Sequence, residues 1–73
     1  MRDPKYAAKH ALGRQMAWAI FREAGRSWQT VLDFRNDCKA KGRFSQALLY
    51  GYDAVMQAGM RRDGCSDLIA AAQ

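Results

Sequence analysis

The chain has 73 residues, 49% of them apolar, and its twelve Lys and Arg outnumber seven Asp and Glu to give a net charge of +5. Two Trp, three Tyr and three Phe supply enough apolar surface to offset the entropy of ordering, which excludes a disordered tail, and the length suits one small domain. The charge bears on partners rather than on fold, and favours polyanions.

Two cysteines, Cys38 and Cys65, are too few and too widely spaced for a disulfide-rich scaffold or a zinc ribbon, so both are expected as free thiols. No stretch approaches the roughly 18 consecutive apolar residues of a membrane span, and the first residues lead into a helix rather than a signal peptide. A cytoplasmic protein without membrane contact is the expectation.

Asp3-Pro4 reads as a helix start, because Asp can cap free amides while Pro at the first helical position gives up no hydrogen bond. Helix 1 is predicted from Pro4 to Ala24, ended by Gly25. Ser27 then caps helix 2, Trp28 to Ala40, which Gly42 ends. Phe44-Ser45 reads as a hydrophobic staple residue plus cap, with Phe44 against Leu49, opening helix 3 from Gln46 to about Met60. Arg61 to Gly64 form a turn, and Ser66 is placed to cap a short segment from Asp67 to Ala72. Strand signals are missing: Val and Ile are few and do not alternate. The predicted fold is all-α, an up-down-up three-helix bundle with a short fourth helical segment.

On a helical wheel, helix 2 gathers Trp28, Val31, Leu32, Phe34 and Cys38 on one face. Helix 3 gathers Phe44, Ala47, Leu48, Gly51, Tyr52, Ala54, Val55 and Ala58, whose small members would let a neighbouring helix approach closely. Helix 1 carries a stripe of Ala8, Leu12, Met16, Ala19 and Ile20, with Tyr6, Ala17, Trp18 and Phe21 spread around the rest. Helix 1 spans roughly 31 Å against roughly 20 Å for helix 2, so part of it overhangs a simple bundle. A second stripe on helix 3, Leu49, Met56 and Met60, is either consumed, Leu49 by the staple and the others by Leu68 and Ile69, or left as surplus. Surplus apolar surface of this kind marks a homodimer or a partner site, with Trp18, Phe21, Tyr50 and Met56 as the candidate protein interface.

Catalytic equipment is sparse. There is one His, one Glu and three Ser, and Ser27, Ser45 and Ser66 each sit where a helix begins. His10 stands beside Lys9 and Arg14, surroundings that disfavour a bound metal, and neither CxxC nor HxxxH spacing occurs. Neither a GxxxxGK[ST] loop nor a GxGxxG turn is present. A non-enzyme with no cofactor, no metal and no small-molecule substrate is expected.

The informative polar feature is Lys39-Ala40-Lys41-Gly42-Arg43, around the turn between helices 2 and 3. An up-down-up bundle brings Arg2, Lys5 and Lys9 to the same end. Lys39 and Lys41 also complement the carbonyl end of helix 2, a plainer role that accounts for them but poorly for the whole cluster. A helix-turn-helix template matches Cys38, Gly42 and Leu48, but Asp37, Lys41 and Arg43 fall where apolar residues are usual. Contacts to phosphates are therefore expected ahead of contacts to bases. Two functions compete. One is a regulator binding nucleic acid through Lys5, Lys9, Lys39, Lys41 and Arg43. The other is an inhibitor or adaptor docking on an acidic protein surface, of the kind that phages and plasmids carry.

Overall fold

The structure is a computed structural model that describes residues 3–65 and 67–69. Three helices fill it: α1 (Pro4–Glu23), α2 (Trp28–Ala40) and α3 (Gln46–Arg62), followed by a short helical segment at residues 67–69. Of the described residues 80% are helical and none lies in a strand.

The helix starts follow from local chemistry. The Asp3 carboxylate accepts from the Lys5 amide at 2.9 Å, and the Ser27 and Ser45 hydroxyls accept from the Thr30 and Leu48 amides at 3.3 Å. The proposed Ser66 cap lies outside the described residues. All three helix ends need left-handed backbone. Gly25 sits at φ 68° and is followed by Arg26 at 65°, a conformation that costs a residue with a side chain about 1–2 kcal/mol. The Arg26 amide donates to the Phe21 carbonyl at 2.8 Å while its guanidinium lies 5.7 Å from the Phe21 ring centre, so the contacts of this turn hold it there. Helix α3 runs one half-turn past the expected Met60, because no helix breaker intervenes before Gly64 at φ 74°.

The buried core is Ala17, Phe21, Trp28, Val31, Leu32, Tyr52, Met56 and Met60. It corrects the predicted faces of all three helices. On α1 the buried line is Gly13, Ala17 and Phe21, spaced four apart, while Leu12 and Ala8 are exposed. On α2 Arg35 is buried and Phe34 is 39% exposed. On α3 Ala54 and Ala58 face outward, and Met56 and Met60 take the interior.

Backbone contact explains the α1 face. A Cβ at Gly13 would overlap the Leu48 carbonyl oxygen, and one at Gly51 would overlap the His10 carbonyl oxygen. Helices α1 and α3 therefore cross with their backbones touching, and glycine on each side permits it. Farther along, the Arg62 guanidinium sits 5.5 Å from the Trp18 ring centre, so the two helices run in the same general direction. At that end Phe21 stacks on Trp28 at 3.9 Å, Trp18 meets both rings edge-on, and the Trp28 ring fills the space a side chain at Gly59 would need.

Leu68 and Ile69 pack against the core cluster, so the segment folds back over it. Helix α2 is fastened to α3 by the Tyr52 hydroxyl, which donates to the Val31 carbonyl at 2.6 Å, and by Arg35, whose Nε and NH2 each reach an Asp53 oxygen at 3.0 Å. Burial pushes the Tyr52 hydroxyl well above the usual phenol range, with Cys38 and Asp53 adding to the effect. Among the described residues no helix is long and apolar enough to cross a membrane.

Candidate nucleic-acid interface

The α2–α3 turn is built from the end of one helix and the start of the next. The Gly42 and Arg43 amides donate back to the Lys39 and Cys38 carbonyls at 3.1 and 2.9 Å, which closes α2 and turns the chain at Gly42, φ 67°. Lys39, Lys41 and Arg43 are all exposed around it. Lys41 pairs with Asp37 at 3.1 Å, one helical turn back, with both side chains more than half exposed; such a pair is weak in water. Lys39 and Arg43 form no ion pair among the described residues.

Lys5 and Lys9, also exposed and without an ion pair among the described residues, precede the α1–α3 crossing on α1. The α2–α3 turn precedes the same crossing on α3. Since α1 and α3 share a direction, both groups lie toward one end of the bundle. Arg2, expected with them, falls outside the described residues. Tyr6 and His10 stack at 6.3 Å between ring centres on this part of α1, and Arg14 donates to His10 Nδ1 at 2.8 Å. That bond occupies Nδ1 with a cation rather than leaving that nitrogen to face an acid or a thiol.

The four proposed protein-interface residues do not share a surface. Phe21 is 3% exposed and Met56 not at all, so both belong to the core, where the wheel reading had placed them outside. Trp18 is half-buried among Phe21, Trp28 and the Arg62 guanidinium. Only Tyr50, 51% exposed with its hydroxyl accepting from Gln46, presents a ring to solvent.

One feature escaped the sequence reading. Phe34 projects from α2 beside Phe44, with ring centres 6.1 Å apart, and Phe44 in turn lies 5.3 Å from buried Tyr52. Phe44, expected to staple onto Leu49, forms the middle of this series, which runs from solvent to core beside the basic turn. The signal available in the sequence was the spacing of Phe34 from Val31, Leu32, Arg35 and Cys38. It places Phe34 at the margin of that arc.

Cys38 and Cys65 are free thiols, the first buried and the second half-buried. Among the described residues no three His, Cys, Asp or Glu side chains gather where a metal ion could sit. Comparison with protein-family models, with curated proteins and with solved structures finds no match to this chain.

Proposed function

We propose that this protein is a small non-catalytic regulator, resident in the cytoplasm, that binds nucleic acid through phosphate contacts made by its basic end. The observation that carries the reading is the set of exposed cations at the α2–α3 turn, where Lys39 and Arg43 lack an ion pair among the described residues and Lys41 has only a weak one. Lys5 and Lys9 extend the same charge along the start of α1. Phosphate contacts of this kind position a protein without reading sequence.

The second reading, an inhibitor or adaptor on an acidic protein surface, draws on exposed Tyr50 and Leu12. It is weaker than its sequence-level form, because Phe21 and Met56, two of its four anchors, are spent on the core. An interface needs a cluster of anchors at its centre, and single exposed apolar residues are ordinary.

The test is binding of labelled DNA and RNA oligonucleotides of several sequences to the wild type and to a Lys39→Ala, Lys41→Ala, Arg43→Ala variant. The triple variant is expected to bind all sequences more weakly by a similar factor while keeping its helix content. Absence of binding to any oligonucleotide by the wild type would overturn the reading and favour the protein-docking alternative.

A further inference from the structure

Phe34 is a large ring, 39% exposed on a chain short of core material, and it rests on other rings. The Phe34, Phe44 and Tyr52 rings follow one another at tilts of 57° and 49°, and the series ends on a tyrosine buried completely and hydrogen-bonded to the α2 backbone. Cys38, one turn beyond Phe34, is buried and offers its carbonyl to the Arg43 amide, so the backbone of the basic turn is tied to the turn of α2 that follows Phe34. Phe44 is the next residue after Arg43, and Lys41 lies seven residues after Phe34, on the same helical face. The nearby acids Asp33 and Asp37 are engaged, with Gln29 at 2.9 Å and Lys41 at 3.1 Å.

An exposed aromatic ring backed by a second ring and bordered by cations has a fitting complement: an unpaired base, whose face stacks on the ring while its flanking phosphates meet the charges. A paired base offers no free face, and a protein interface calls for a cluster of anchors around the ring rather than a single one. We infer that Phe34 is a stacking platform for a base of single-stranded nucleic acid, with Lys39, Lys41 and Arg43 holding the adjoining phosphates. This rests on the nucleic-acid reading above and narrows it to single strands.

The test compares an oligothymidylate with a duplex of the same length, by fluorescence anisotropy at one fixed low salt concentration. The proteins are the wild type, Phe34→Leu, Phe34→Trp and the Lys39/Lys41/Arg43 triple Ala variant. Leu keeps an apolar contact with Phe44 but offers no ring, and circular dichroism checks that each variant is folded. The wild type is expected to favour the single strand. Phe34→Leu should lose about tenfold on the single strand and stay within about twofold on the duplex, while Phe34→Trp retains binding. A 5-iodouridine-substituted oligonucleotide should photocrosslink to the peptide containing Phe34. If Phe34→Leu changes neither affinity, or weakens both equally, and the crosslink maps elsewhere, the stacking inference is overturned. Loss of binding in the triple variant would then leave the phosphate reading standing. If the wild type binds neither probe, both fall together.

Discussion

The indole N–H of Trp28 donates to the Asp63 carboxylate across 2.7 Å, tying the first residue of α2 to the residue that caps α3. Asp63 also receives the Arg62 guanidinium at 3.0 Å, and Arg62 lies over Trp18. One carboxylate thus links the two indoles on which the far end of the core is built.

The Arg62 hydrogen bond, and after it the Trp28 hydrogen bond, hold the Asp63 carboxyl below the ordinary 3.8. The unfolded chain therefore takes up this proton at a higher pH than the folded one. The stabilisation is fully present above the ordinary value and is lost as pH falls from there through the lower, folded value. Asp63→Asn should flatten the acid limb of stability against pH in that window and lower the melting temperature at neutral pH. Thermal melts followed by tryptophan fluorescence from pH 6 down to pH 2 will check both effects.

Gly13→Ala and Gly51→Ala each place a methyl group into backbone rather than into a movable side chain. Alanine gains about 1 kcal/mol over glycine in helix propensity, but forced separation of the two helices costs more. A net loss of about 2 kcal/mol is expected for either variant by urea unfolding. A control substitution of Ala54, exposed on the same helix, to Ser should shift the midpoint little.

Arg35 is 9% exposed and makes two hydrogen bonds to Asp53, with a third to Asn36. Arg35→Met leaves the Asp53 carboxylate without its partner, and loss of one half of a buried pair costs about 3 kcal/mol. Removing the second charge relieves that penalty. Arg35→Met with Asp53→Asn is therefore expected to be more stable than Arg35→Met alone, measured as a double-mutant cycle by chemical denaturation.

The helix bounds were legible because their causes are local: Asp3-Pro4, Ser27 and Ser45 each cap within three residues, and Gly25 and Gly42 end their helices where the chain must turn left-handed. Which face turns inward was harder to read. On α2, placing Phe34 inside follows hydropathy, but in the observed rotation Arg35 turns inward, where Asp53, eighteen residues away, makes a buried arginine tolerable. On α1, Leu12 outranks Gly13 in any apolar count. Gly13 wins because only there can the α3 backbone come close, and a lone glycine in mid-helix was the one sequence sign of it.

The same limit applies to the candidate site. The cations Lys5, Lys9, Lys39, Lys41 and Arg43 could be expected at the surface because a lysine or arginine stays exposed unless a partner makes its burial tolerable, as Asp53 does for Arg35. Phe21 and Met56 could not be separated from exposed apolar residues without the helix rotation. Phe34 was misplaced inward for the same reason, and with it went an exposed aromatic ring beside the basic turn.

The most direct test of the basic-end account is the salt dependence of oligonucleotide binding, plotted as log affinity against log salt for the wild type and the Lys39/Lys41/Arg43 triple Ala variant. The wild type should show a steep negative slope, and loss of three phosphate contacts to a single strand should flatten it by about 2. Equal slopes for the two proteins, or affinity that does not change with salt, would contradict the assignment of phosphate binding to this turn.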